Sequence, residues 1–294
     1  MKIIDVYKNA VKRLGEAGIE NPAFDAKILF EHVFSLTYSD IIINPDIGFD
    51  DGQVRELDKL IDERLRGRPL QYIIGKWDFM GFEFEVGEGV LIPRSETEIL
   101  VEYTVDKLRN IQSPVIYDLC SGSGCIGLSV KKLLPSARVF MVEISDEALF
   151  YLNKNRESLG LMKDTCVIKG DILRGYEAFY SLPVPDVILS NPPYVKRKEI
   201  ETLQKEVRSE PSLALDGGED DIRLAVVLMK RYVPKASVVV ASDAMQILGG
   251  LGYTEYSRVS RIWQDCRGNQ IAEGTDQIMV RIAAPLILNK YAQN

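Results

Sequence analysis

VIYDLCSGSGCIG, residues 115–127, decides how this chain folds. Residues 115–120 are an unbroken apolar stretch apart from Asp118, the pattern of a strand buried on both faces. Gly122 to Gly127 then interrupt it as a loop, and a helix follows. Gly122, Gly124 and Gly127 match the spacing G-x-G-x-x-G, between a strand and a helix. Glycines there let the backbone turn tightly and lie flat against a ligand.

Downstream the same unit repeats. Val139 to Ile144, Cys166 to Lys169 and Asp186 to Ser190 read as further strands, separated by helical stretches. Alternating strands and helices imply a parallel sheet with helices on both faces. Ligands of such sheets bind at the carboxyl ends of the strands. Glu143 ends the second strand about 20 residues after the glycine loop, where an acid accepts bonds from both ribose hydroxyls of a nucleoside. Asp171, after the third strand, is placed either to hold an adenine amine or to cap a helix. The glycine pattern by itself does not separate a dinucleotide from S-adenosylmethionine.

The fourth strand ends in Asn191-Pro192-Pro193-Tyr194. Two prolines remove two backbone donors and lock φ, and Asn191, preceding proline, is pushed to extended geometry. The expectation is a stiff ledge offering two acceptors, the Asn191 side-chain oxygen and the Pro192 carbonyl. Two acceptors match the two hydrogens of a planar NH₂ group. Tyr194 adds a flat wall, and its ring face favours a cation.

Upstream, residues 1–70 read as helical. Ile4, Tyr7, Val11 and Leu14 form one helical stripe. Asn21-Pro22 is a helix start, with asparagine as cap and proline at the first helical position. A third helix carries Val54, Leu57, Leu60, Ile61 and Leu65, with Arg64, Arg66 and Arg68 near its negative dipole end. Residues 71–93 alternate aromatic and turn residues as a β-hairpin would. Ser95 with Glu98 three residues on reads as a capping box.

Several stretches together resemble the release factor glutamine methyltransferases, the PrmC/HemK family: RPLQYIIGKWDFMGFEFEV (68–86), VLIPRSETEILVE (90–102), YDLCSGSGCIGLSV (117–130), VEISDEAL (142–149), GDIL (170–173), SNPPYV (190–195) and EPSLALDGGED (210–220). The likeness covers residues 1 to about 220. It implies an α/β chain: a small helical domain (1–70) that docks the release factor, a hairpin linker (71–93) and a Rossmann-like methyltransferase domain (94–220). It implies S-adenosyl-L-methionine as cofactor, held by Asp118, Cys120, Ser121, Gly122, Ser123, Gly124, Glu143, Asp171, Ile172 and Asn191. It also implies a Gly-Gly-Gln glutamine as substrate, held by Asn191, Pro192, Pro193 and Tyr194, with Asn191, Pro192 and Tyr194 catalytic. Cys120-Ser121 stands where the family often has Gly-Thr. Asn-Pro-Pro-Tyr alone also fits adenine-N6 nucleic-acid methyltransferases.

From about residue 221 the likeness changes. DAMQILGGLGYT (243–254), RIWQDCRGNQI (261–271) and AEGTDQI (272–278) resemble the C-terminal helical domain of acyl-CoA dehydrogenases, in which the position of Glu273 often holds the catalytic base. A fusion carrying a dehydrogenase fragment is therefore a further reading. The release factor enzymes would continue with more strands here. Residues 236–241, with Val238, Val239 and Val240, permit one strand, whereas the second likeness implies an atypical helical tail, which is the expectation adopted.

Composition bounds the function. The 294 residues carry a net charge of −7, against the basic footprint usual for nucleic-acid binding. No apolar run long enough for a membrane span and no signal-like block at the N-terminus occur, so a cytoplasmic protein with no membrane partner is expected. Cys120, Cys125, Cys166 and Cys266 form no C-x-x-C pair, so buried reduced thiols are expected and no metal site. A single histidine, His32, argues against a histidine-based hydrolytic triad.

Overall fold

A computed structural model describes residues 2–44, 47–172, 182–218, 238–239, 241–254 and 256–269. The chain divides into two compact units, one of residues 1–193 with 199–216, the other of residues 194–198 with 217–294.

The first unit opens with five helices: α1 (Ile3–Glu16), α2 (Pro22–Phe34), α3 (Tyr38–Ile43), α4 (Asp51–Leu65) and α5 (Leu70–Ile74). In α1 the fully buried stripe is Ile3, Val6, Ala10 and Leu14, while Ile4, Tyr7 and Val11 pack at its margin. Leu14 of the expected stripe keeps its place, while Ile4, Tyr7 and Val11 give way to the residue before each, because apolar side chains on both flanks left the stripe's centre ambiguous. Asn21 caps α2 through its backbone position ahead of Pro22, without a side-chain bond. Asp50 caps α4, and Gln53 reciprocates to complete a capping box. Leu29, Phe30, Phe34, Leu57 and Ile61 form the core, with Phe30 stacked on Phe34 at 4.3 Å. His32 is exposed.

Strands β1 (Lys76–Phe79) and β2 (Phe82–Glu85) pair antiparallel through a two-residue turn in which Met80 and Gly81 both have positive φ. Phe79 and Phe84 bury into the core of the following sheet. Helix α6 (Glu98–Leu108) is preceded by a short 3-10 turn, Ser95–Thr97. The expected capping box there does not form. Instead Glu98 accepts the Met80 N–H at 2.7 Å, so its carboxylate holds the hairpin turn.

Four parallel strands follow: β3 (Val115–Leu119), β4 (Arg138–Glu143), β5 (Thr165–Lys169) and β6 (Val187–Ser190), with α7 (Cys125–Leu133) and α8 (Asp146–Ser158) between them. Their spatial order is β5-β4-β3-β6. The chain steps outward from β3 to β5, then returns to the other side of β3. The strand order therefore reverses at β3, and the crevice between the ends of β3 and β6 is the switch point where α/β sheets take ligands. Leu119 pairs with Val142 on one side and Ser190 on the other. Among the described residues β6 is an edge strand.

In the second unit, Gly217 N–H donates to the Val195 carbonyl at 2.8 Å and Arg197 N–H to the Gly218 carbonyl at 3.0 Å. Residues 238–239 and 241–248 are helical, as are Gly250–Tyr253 and Arg258–Asn269. Of the stretch 236–241 the described residues Val238, Val239 and Ala241 are helical, so they do not form the strand that the valines permit: Val238 and Val239 yield to the helix formers that follow. The Trp263 indole N–H donates to Ser242 Oγ at 2.8 Å, joining two of these helices. Residues 219–220, Val240 and Glu273 lie outside the described residues. Among the described residues no helix is long and apolar enough to cross a membrane.

Candidate active site

The glycine loop is built on backbone conformations that side chains resist. Gly122 (φ 55°) and Gly124 (φ 81°) are left-handed, and so is Cys120 (φ 58°), at a cost of about 1–2 kcal/mol for a residue with a Cβ. Ser121 locks the bend: its Oγ donates to the Asp118 carbonyl at 2.7 Å, and its N–H donates to the Val142 carbonyl at 3.1 Å. The third glycine has a packing role. A Cβ at Gly127 would stand 2.9 Å from both Asp118 Oδ2 and Met141 Cγ.

Asp118 is fully buried beneath this loop. Its Oδ2 accepts the Gly127 N–H at 3.0 Å, while Oδ1 has no partner. Burial pushes its acid up to about 7; the Gly127 bond opposes this, and the charge of Glu143 adds to it. Holding the proton relieves the cost of burying this carboxyl group beneath the glycine loop.

Glu143, at the end of β4, is buried and turned into the loop. Its Oε2 accepts the Gly122 N–H at 2.7 Å; Oε1 accepts the N–H groups of Ile144 and Ser145 at 2.8 and 2.9 Å. A carboxylate has about four lone-pair sites. One therefore remains, and taking two ribose hydroxyls requires that a backbone donor be released. Next to it, Gly170 N–H donates to the Glu143 carbonyl at 3.0 Å, which brings Asp171 and Ile172, both half-buried, to the same edge.

β6 delivers the fourth strand end. Ser190 Oγ donates to the Leu119 carbonyl at 2.9 Å, so Asn191, Pro192 and Pro193, all half-buried, leave the sheet directly beside the loop residue Cys120. The Cys120 thiol registers this crowding. Burial pushes it up, the charges of Glu143, Asp118 and Asp171 add, and a hydrogen bond with Ser190 opposes. Tyr194 begins the second unit and is 63% exposed. The fold therefore gathers Asp118, Cys120 to Gly124, Glu143, Asp171, Ile172 and Asn191 at one sheet edge. The thiols depart from the expected burial: Cys166 is exposed, and Cys120, Cys125 and Cys266 are half-buried.

One residue at this edge escaped the sequence reading. Asn155 on α8 is fully buried; its Oδ1 accepts the Glu85 N–H at 2.6 Å, and its Nδ2 donates to the carbonyls of Ser123 and Glu85 at 2.9 and 3.1 Å. It clamps the glycine loop to the hairpin. An asparagine amid the polar run NKNRES carries no sequence signal of burial. Among the described residues no group of three or more potential ligands converges on a metal position.

A parallel sheet, a glycine loop backed by a buried acid and a polar strand end at the switch point define an α/β methyltransferase. Residues 95–220 match the family profile described as methyltransferase small domain, and residues 5–75 match the PrmC N-terminal domain. The chain belongs to the release factor glutamine methyltransferases. It is 37% identical over 225 residues to the release factor glutamine methyltransferase of Moorella thermoacetica, covering 76% of this chain and 77% of that one. The Clostridium acetobutylicum enzyme is 33% identical over 273 residues, 90% and 91% of the two chains. The Fusobacterium nucleatum enzyme is 32% identical over 269 residues, 89% of this chain and 72% of that one. Residues 199–288 also match the C-terminal domain of acyl-CoA dehydrogenases, overlapping the methyltransferase profile.

Proposed function

We propose that the chain transfers a methyl group from S-adenosylmethionine to the N5 amide nitrogen of the Gly-Gly-Gln glutamine of peptide chain release factors. The observation that carries this is the register Leu119↔Ser190, which sets Asn191 beside the glycine loop at the switch point. The residues present suit the cofactor. The remaining lone pair of Glu143 is an acceptor, and the space on the Cβ side of Gly122 is open. When bound, the cofactor supplies a methyl group made electrophilic by its sulfonium.

In this reading residues 120–124 lie along the cofactor, Glu143 accepts from its ribose, and Asp171 and Ile172 flank its adenine. The Asn191 side-chain oxygen and Pro192 carbonyl accept the two amide hydrogens of the glutamine. Their grip fixes the nitrogen's orientation, which is the main thing a delocalised, weakly nucleophilic amide lacks. The same two acceptors strengthen as the nitrogen becomes positive, so they favour the transition state over the ground state. Pro192 and Pro193 keep the pair rigid, and Tyr194 supplies a wall for the planar amide. Residues 1–70 dock the release factor, 71–93 link, 94–220 transfer, and the tail from 221 stands where such enzymes would continue with further strands. The setting is cytoplasmic, where translation occurs.

The test is transfer from S-adenosylmethionine to a purified release factor, with the site located by peptide mass spectrometry. A methyl group on the Gly-Gly-Gln glutamine is the expected result. Transfer to an adenine-containing oligonucleotide instead, which the net charge of −7 disfavours, would replace the reading with an adenine-N6 enzyme.

A further inference from the structure

After the Asn191–Pro193 turn the chain returns, over residues 199–216, to the first unit. There it is tied at two points. Glu206 accepts from Arg64 Nη2 at 2.6 Å, and Arg64 Nε donates to Asp25 Oδ2 at 2.6 Å. The Arg64 and Asp25 side chains are only 5% and 8% exposed. One residue earlier, Lys205 lies directly on Gly67, where an added Cβ would stand 2.6 Å from Lys205 Cδ. Four residues later, Glu210 has a side chain 1% exposed; it accepts the Ile92 N–H at 3.0 Å and pairs with Arg94. The returning segment thus touches α2 and α4 of the helical domain through one ion cluster, and the strand-to-helix linker through another.

Buried ion pairs contribute little net stability, because desolvation offsets the attraction; their best-attested use is to set register. Burial raises the Asp25 acid against the opposing pull of Arg64, which shows the desolvation at work. Charge is therefore being buried here at a cost, at the junction of the helical domain with the chain that continues the catalytic turn.

We propose that Asp25–Arg64–Glu206 and Arg94–Glu210 form a register latch, which sets the distance between the substrate-docking helices and the Asn191 turn. Glu206 and Glu210 are positioning residues. A release factor held by the helices then presents its glutamine at the turn without searching. The proposal rests on the methyl-transfer reading above.

The test uses the full chain with Glu206→Gln, a site 40% exposed and so tolerant of the change, and Glu210→Gln as the second variant. With a release factor as substrate, kcat falls about tenfold or more while KM stays within about twofold, the mark of lost positioning rather than lost binding. S-adenosylhomocysteine binds with unchanged stoichiometry, so the active fraction is the same. Hydrogen exchange of amides in 205–210 accelerates, and that of β3 and β4 does not. Unchanged kcat in both variants overturns the latch, as does a loss matched by fewer cofactor sites. A parent chain that methylates no release factor overturns the reaction reading, while the exchange result still reports separately on the latch.

Discussion

Asp118→Asn isolates the electrostatic cost of the glycine loop. Asp118 is fully buried with one oxygen unpaired, and burial pushes its acid from the ordinary carboxylate range up to about 7. Its folded pKa is thus raised above its unfolded value. The stability it contributes is complete below about pH 4 and is lost as pH rises through about 7, because only the native state holds the proton in that window. A displacement of roughly three pH units sets a ceiling of about 4 kcal/mol on the loss, of which about 2–3 kcal/mol falls between pH 5 and pH 8. Asparagine cannot ionise, and its carbonyl still accepts the Gly127 N–H. Urea unfolding of both proteins at pH 5 and pH 8 reads the effect as a stability gap, variant minus parent, that widens with pH by about 2–3 kcal/mol. Parallel curves, with the gap constant to about 0.5 kcal/mol, would refute a neutral buried acid at this position.

Three further outcomes follow from the site. Asn191→Ala abolishes methyl transfer yet leaves S-adenosylhomocysteine affinity within about threefold, as calorimetric titration will read, since it removes an amide acceptor while the glycine loop and Glu143 still hold the cofactor; normal turnover sinks its assigned role. Glu143→Ala does the reverse first: three backbone N–H groups lose their acceptor, and cofactor affinity falls about tenfold or more in the same titration. Asn155→Ala strands the Glu85 N–H together with the Glu85 and Ser123 carbonyls, costing about 2–4 kcal/mol by urea unfolding; a cost under about 0.5 kcal/mol would show that the clamp is dispensable.

Among the described residues β6 has no neighbour beyond it, yet it carries Asn191 at its end. An unpaired edge is the weakest place in a sheet to mount a rigid group.

The sequence alone determined the elements whose signals are local. A buried strand, a G-x-G-x-x-G turn and an acid one strand later follow from nearest-neighbour chemistry, so the parallel sheet and the places of Gly122, Gly124, Glu143 and Asn191 at its strand ends were legible. Tertiary structure decided which groups those side chains meet. Glu98 looked like a cap and holds a hairpin turn; Arg64 looked like a charge at a helix end and is the centre of a buried cluster; Glu143 looked free for a ribose and already accepts three backbone donors. It also set the strand order β5-β4-β3-β6, and with it the crevice beside β3. The division has one physical cause: backbone preferences act over a few residues, whereas ion pairs and carboxylate bonds are chosen through space, among residues such as Asp25, Arg64 and Glu206 that only the folded chain brings together.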